Sequence, residues 1–290
     1  MSKVFLVTGS SRGLGREIVT AALAAGHRVL ATARDPRTLD DLVAAHGDRV
    51  RAARLDVTDA DAAERVVREA VEAFGRLDVV VNNAGQGDRA ALEDTTLEVF
   101  RRQVDTNFYG TVYVSRAAVP VLRRQGGGRI IQISSLGGRI GSPGMSAYHA
   151  AKWAVGGFSE SLAAEVAPLG IKVTVLEPGG KRTEWAGSSM STPPVSEPYR
   201  ATVGAAAESM RNFTAEANGD PVKVAQAVLT VSALDEPPLR LLLGSDSYAY
   251  GRAAWVGRLE EDEKWRYASV STDHDEAEGD GSRWLADQRS

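Results

Sequence analysis

Val4-Phe5-Leu6-Val7-Thr8-Gly9-Ser10-Ser11-Arg12-Gly13-Leu14-Gly15 passes from four apolar residues directly into a Gly-x-x-x-Gly-x-Gly turn. Leu14–Ala25 then has helical spacing and ends at Gly26, a natural C′ residue, so the stretch reads as strand, tight turn and helix. Six more short apolar runs follow: Val29–Ala33, Val50–Val57, Val79–Val81, Ile130–Ile133, Val173–Leu176 and Leu239–Leu243. Most are apolar at successive rather than alternate positions, as parallel strands covered on both faces require. The intervening stretches carry helix boundaries. Asp35-Pro36 reads as an N-cap before a first-turn proline, and Thr58–Phe74 keeps Val66, Val67, Ala70 and Val71 on one side before Gly75. Seven strands joined by helical crossovers predict an α/β fold: a doubly wound, Rossmann-like, seven-stranded parallel sheet with helices on both faces.

Composition narrows the chemistry. The 290 residues include 34 basic and 38 acidic side chains, a formal charge of −4, which argues against a nucleic-acid surface held by bulk charge. Cysteine is absent, so disulfides, thiolate metal sites and a cysteine nucleophile are excluded. His27, His46, His149 and His274 are too scattered for a zinc motif, and no metal is expected. With 43% hydrophobic residues the chain can fill a substantial core. No apolar run approaches the roughly 18 residues of a membrane span, and the short run after Met1-Ser2-Lys3 ends in glycines rather than a cleavage site. A cytoplasmic protein without membrane association is expected. Residues 1–246 read as one dinucleotide-binding and catalytic domain. Within it, segment 179–220, rich in Ser and Pro, reads as a lid over the site, with a solvated insertion, which composition alone favours slightly, as the alternative. Residues 247–290 read as a C-terminal extension, a helix over Ser247–Trp265 and then an acidic, disordered tail with five acids in Asp273–Asp280.

The glycine turn suits a pyrophosphate, because glycines allow close backbone approach and the helix N-terminus offers N–H donors and positive dipole. The spacing differs from the usual Gly-x-Gly-x-x-Gly fingerprint. Tyr148 and Lys152 stand four residues apart, on one face of a helix. A nearby ammonium favours ionised phenol, and lowering a pKa of about 10 by two or three units would take roughly 3–4 kcal/mol. Tyr148 would then serve as an acid in reduction and a base in oxidation.

The turn, Asn82-Asn83-Ala84-Gly85 after the fourth strand, and Tyr148-His149-Ala150-Ala151-Lys152 together resemble the short-chain dehydrogenase/reductase family over residues 3–244. The resemblance implies that Gly9, Ser11, Arg12, Gly13, Leu14 and Gly15 hold the dinucleotide and that Asp56 and Val57 flank the adenine. It places Asn82, Asn83, Ala84 and Gly85 beside the cofactor, with Pro178, Gly179 and Thr183 on the nicotinamide side. Tyr148 and Lys152 would also touch the cofactor. It further implies Ser135, preferred over Ser134 on spacing, as the carbonyl-orienting hydroxyl, and Asn107 as holder of a proton-relay water linked to Lys152.

Asp35 lies where an acid would contact the ribose hydroxyls of NAD(H). It is better used as the cap before Pro36. The second strand instead ends at Ala33-Arg34, and Arg34 with Arg12 can grip a 2′-phosphate, so NADP(H) is expected over NAD(H). A solvated surface role for Arg34 is the bland alternative.

The expected activity is hydride transfer between nicotinamide and a ketone or aldehyde, with the corresponding alcohol as partner substrate. A dinucleotide-sensing regulator on the same fold is the alternative, and Ser135, Tyr148 and Lys152 together argue against it. An epimerase or dehydratase would need a larger C-terminal substrate domain. Gln86, Leu136, Met145, Trp185 and Met190 lie on segments that should border the substrate, though each could equally be packing, while Lys181 and Arg182 could meet an acidic substrate or simply sit in a solvated loop. His149 is assigned no role. The aromatic group Tyr248, Tyr250, Trp255, Trp265 and Tyr267 could cover the pocket, cap the sheet or pack an interface. The resemblance implies a homodimer or homotetramer.

Overall fold

The computed structural model describes residues 2–180, 190–191, 193–209 and 219–274. Its sheet strands are β1 (Val4–Val7), β2 (Arg28–Ala33), β3 (Val50–Arg54), β4 (Val79–Asn82), β6 (Gly128–Ile133), β7 (Ile171–Pro178) and β9 (Arg240–Leu243). They pair in parallel in the order β3-β2-β1-β4-β6-β7-β9. The predicted sheet is therefore present. Two short strands, β5 (Gly87–Asp88) and β8 (Met190–Ser191), form a separate ribbon that the sequence did not signal, since two residues carry no periodicity.

The continuous apolar character of β1 follows from double burial. Phe5 and Val7 join the core under α1 (Gly13–Ala24) and α7 (Pro221–Ala233), while Val4 and Leu6 join the core under α3 (Ala60–Phe74), α5 (Gly110–Arg124) and α6 (Ser146–Val166). β4 divides the same way, Val79 and Val81 against Val80. Each fully buried side chain of this kind stabilises the fold by about 1.5–3 kcal/mol.

Polar side chains set the helix starts. Asp35 accepts from Arg37 N at 3.1 Å and opens the short turn Pro36–Leu39 before α2 (Asp40–His46), the capping use read from the sequence. Asp59 caps α3, accepting from Ala62 N at 2.9 Å, so the helix starts at Ala60 rather than Thr58. β3 stops at Arg54 rather than Val57, and Asp56 Oδ1 then accepts from Thr58 N and Oγ1 at 3.0 and 2.8 Å, turning the chain towards α3. α4 (Leu97–Val104) runs into a π-helical turn, Asp105–Tyr109, before α5. Wide turns of this type frequently mark functional sites.

Of the expected lid, residues 179–180, 190–191, 193–209 and 219–220 are described, and Glu197–Gly204 is helical turn. The extension begins with α8 (Ser245–Lys264), followed by α9 (Arg266–Val270), and most of the acidic tail lies outside the described residues. Among the described residues no helix is long and apolar enough to cross a membrane.

Candidate active site

β1 lies between β2 and β4, where the strand order reverses, so the carboxyl ends of β1 and β4 open the crevice in which such sheets bind ligands. The glycine turn crosses that crevice. Thr8 Oγ1 accepts from Asn83 N at 2.9 Å and Ala84 N at 3.0 Å, and Asn83 Nδ2 donates to the carbonyls of Thr8 and Gly9 at 2.9 and 3.2 Å. These bonds bring the two strand ends so close that side chains do not fit. A Cβ on Gly9 would lie 2.9 Å from Ala84 Cα, and one on Gly15 would run into Gly9 O and the Asn83 amide. Gly9 and Gly13 also have φ of +68° and +54°, conformations that favour glycine. The first turn of α1 has no acidic residue and no side-chain cap from Arg12, so neither a carboxylate nor a capping side chain meets its N-terminal N–H groups where they adjoin the glycine turn. That is the geometry a pyrophosphate requires.

Four side chains named from the sequence converge beside this cradle. Ser135 follows β6 and caps the turn Leu136–Gly138, accepting from Gly137 N at 3.1 Å. Its hydroxyl is also hydrogen-bonded to the phenol of Tyr148 on α6. Ser134 is buried, and its hydroxyl donates to Lys152 O at 3.4 Å, so it braces the helix while Ser135 meets the phenol. Lys152 is buried one turn below Tyr148 and donates from Nζ to Ile133 O at 2.9 Å.

Asn107 lies in the π turn, fully buried. Nδ2 donates to Gln86 O and Gln103 O at 2.7 and 2.8 Å, while Oδ1 accepts from Gln86 N at 3.2 Å. A Cβ on Gly85 would sit 2.8 Å from Asn107 Oδ1 and 3.7 Å from Lys152 Nζ, so the glycine keeps open the space between amide and ammonium.

The electrostatics depart from the sequence expectation. Burial pushes the Tyr148 phenol up to about 12, and the Ser135 hydrogen bond opposes this only in part. Burial also brings Lys152 down to about 8. The ammonium is aimed at the Ile133 carbonyl and lies 5.8 Å from the centroid of the Tyr148 ring, so desolvation outweighs its pull on the phenol.

The remaining predicted residues fall as follows. Arg12 in the turn and Arg34 just after β2 are both exposed. Val57 is buried against Gly110, whose absent Cβ would lie 2.6 Å from Val57 Cγ2. Leu14 is buried at the start of α1, Ser11 is half-buried, and Ala84 packs against the second core. Asn82 donates to Ser115 Oγ on α5 and to Gln132 Oε1 on β6 at 3.0 and 2.8 Å. Pro178 ends β7, and Gly179 N donates to Leu243 O at 3.0 Å. Thr183, Lys181, Arg182 and Trp185 lie outside the described residues. Gln86 is committed to Thr106 Oγ1 and Arg102 O at 3.1 and 3.3 Å, and Met145 is buried. Leu136 approaches α8 at Gly251.

Sequence reading missed the strand-clamping role of Thr8, although Thr8 stands in the opening stretch. It also missed Asp246, which accepts from Gly180 N at 2.7 Å and fills the space a Gly179 side chain would need. Nothing in the sequence links positions 66 residues apart, and only the β7–β9 pairing brings them together.

A family model described as short chain dehydrogenase matches residues 3–194. The chain is 55% identical to "Oxidoreductase BOA17" of Botryotinia fuckeliana over 94% of its own length and 100% of that protein. The solved structure of a short-chain dehydrogenase from Streptomyces avermitilis is 39% identical, covers 94% of this chain and 100% of that one, and superposes with a TM-score of 0.88. An alcohol dehydrogenase from Thermococcus sibiricus, solved in complex with 5-hydroxy-NADP, is 27% identical over 84% of this chain and 97% of that one, with a TM-score of 0.70. The glycine cradle, the serine–tyrosine contact and these likenesses agree, and the chain belongs to the short-chain dehydrogenase/reductase family of oxidoreductases.

Proposed function

We propose that the protein interconverts a ketone or aldehyde and its alcohol with NADP(H), Tyr148 being the proton donor in reduction and acceptor in oxidation. The observation that carries this reading is the buried Tyr148 phenol hydrogen-bonded to Ser135, at the carboxyl edge beside the glycine cradle. When bound, the nicotinamide supplies the hydride in reduction or takes it in oxidation. The turn from Gly9 to Gly15 would hold the pyrophosphate, Asp56 and Val57 the adenine, Asn83, Ala84 and Gly85 the ribose side, and Pro178, Gly179 and Thr183 the nicotinamide.

Ser135 orients the carbonyl oxygen, and Tyr148 gives that oxygen its proton as negative charge develops there. A phenol held near 12 is fully protonated at neutral pH, which suits the reducing direction. Lys152 would hold the nicotinamide ribose, and a water in the space kept by Gly85 between Lys152 and Asn107 would return the proton. The NADP(H) preference is supported by Arg34, which is exposed and has no hydrogen bond or ion pair among the described residues. The Thermococcus relative solved with an NADP derivative adds to that support. Asp35 is engaged by Arg37 through Nε and Nη2 at 2.9 and 2.8 Å, so its carboxylate is already committed away from a ribose.

The test is a panel of carbonyl compounds assayed with NADPH and with NADH by loss of reduced-nicotinamide absorbance. Faster turnover with NADPH is expected. A marked NADH preference overturns the Arg34 argument, and Tyr148→Phe retaining turnover overturns the proton donor.

A further inference from the structure

Arg89 follows β5, and its side chain is only 1% exposed. Its backbone N–H donates to Ser191 O at 2.8 Å, and Nη1 donates to Pro143 O at 2.8 Å. Its Cγ packs so tightly against Gly144 that a Cβ there would come within 3.0 Å. The other edge of the guanidinium is unused. Nε and Nη2 are both buried, and neither has a hydrogen-bond partner. No carboxylate faces the group among the described residues, and burial alone acts on its pKa, downward. An arginine nevertheless stays charged in a protein, so a cation with two orphaned donors is held out of water at a substantial cost.

Other arginines in the molecule show what this edge does. Arg37 presents Nε and Nη2 to Asp35, Arg76 presents them to Asp78, and both Arg139 and Arg240 present them to Glu177. The edge is a planar fork that fits a carboxylate. In Arg89 the fork is built, and among the described residues no acid meets it.

Its place in the fold relates it to the site. Pro143 and Gly144 form the turn that enters α6, and Tyr148 stands in the first turn of that helix. Arg89 also acts electrostatically on His149, which burial chiefly holds at about 4 and therefore neutral. His149 in turn lies against Gly137, where an added Cβ would meet His149 Cδ2 at 2.8 Å and Tyr148 Cε1 at 3.2 Å. Arg89 thus acts on His149, and His149 and Tyr148 both pack against Gly137.

We infer that the Nε–Nη2 edge of Arg89 receives a carboxylate or similar planar oxyanion carried by the substrate, so that the enzyme selects anionic carbonyl compounds. The substrate's position in this inference rests on the carbonyl-reducing function proposed above, whereas the anion-receiving edge does not.

The experiment compares levulinate and longer keto acids with their methyl esters, in the wild type, Arg89→Met and Arg89→Lys. In the wild type, kcat/KM is expected to favour the acids. Arg89→Met should lower the acid-to-ester ratio by about tenfold to a hundredfold, since bonds to a charged group carry roughly 1.5–3 kcal/mol. Arg89→Lys, which keeps the charge and removes the fork, should recover only part of the ratio. A melting-temperature arm at constant ionic strength adds a readout that needs no turnover. The keto acids should stabilise the wild type more than their esters do, and Arg89→Met should lose that difference. Equal use of acid and ester by the wild type, or a ratio unmoved by either substitution, overturns the inference. So does stabilisation by acetate equal to that by the keto acids without an acid preference in turnover, which would assign the edge to a free anion. If no carbonyl compound turns over, the proposed reaction falls while the melting arm still decides whether Arg89 receives an anion.

Discussion

Tyr148 illustrates how one side chain answers to two opposing fields. Desolvation holds its proton on and Ser135 favours its release, with the first effect larger. Tyr148→Phe removes only the hydroxyl, so turnover is expected to fall by about 10²–10⁴-fold while NADPH affinity, followed by fluorescence titration, stays nearly constant. Lys152 gives a pH signature. Its folded pKa of about 8 lies below the ordinary 10.5, so between those values the unfolded chain binds the extra proton, and this group's contribution to stability rises with pH. Tyr148 has the opposite sign. Its folded value of about 12 exceeds 10.0, so its contribution is present below pH 10 and is lost as pH rises towards 12. Melting temperatures measured from pH 8 to 10 should therefore rise less steeply in Lys152→Met than in the wild type.

At the scale of elements, close approach of strand ends makes the cradle, and a methyl group is enough to spoil it. Gly15→Ala drives a Cβ into Gly9 O and the Asn83 amide, both parts of the backbone clamp between β1 and β4. Overpacking of this kind costs about 1–3 kcal/mol, and the displaced turn should lose dinucleotide affinity by more than the stability loss alone explains. Chemical denaturation and cofactor titration of the same variant check the two effects. A second junction is electrostatic. Glu177, fully buried at the end of β7, takes Arg139 from the turn after Ser135 and Arg240 from β9, while Ser247 Oγ donates to its carbonyl at 2.7 Å. Three elements are thereby fixed around the Ser135 and Pro178-Gly179 turns. Glu177→Gln leaves two guanidinium groups under-compensated, and a loss of about 3–5 kcal/mol is expected in urea unfolding.

For the whole molecule, the open crevice between β1 and β4 couples ligand binding to global stability. A dinucleotide that binds only the folded chain adds about 2.7 kcal/mol at a hundred times its Kd. The melting temperature should accordingly rise more with NADPH than with equimolar NADH, and Arg34→Ala should shrink that difference; an equal rise with both would count against a 2′-phosphate contact. The surface suggests a further property. Tyr248, Tyr250, Leu259, Trp265 and Tyr267 project exposed from α8 and α9, while Trp255 carries the guanidinium groups of Arg139 and Arg258 at 5.8 and 5.4 Å. We propose that such faces meet in a homodimer or homotetramer, and light scattering at micromolar concentration should give a mass two or four times that of one chain.

The sequence by itself determined the seven strands of the main sheet, the glycine turn and the tyrosine–lysine face. Each depends on spacing within a few residues, and a doubly buried strand or a helix turn records that spacing directly. Ser135 and Asn107 were legible only through the family pattern, because their partners lie on other elements. Tertiary structure alone decided that Thr8 and Asn83 clamp two strand ends, that Asp246 replaces a side chain at Gly179, and that Arg89 is buried with one edge of its guanidinium unpartnered. It also reversed the expected shift of Tyr148. Desolvation depends on every atom packed around a group, and distant elements supply most of those atoms, so neither burial nor its effect on charge can be read from neighbours along the chain.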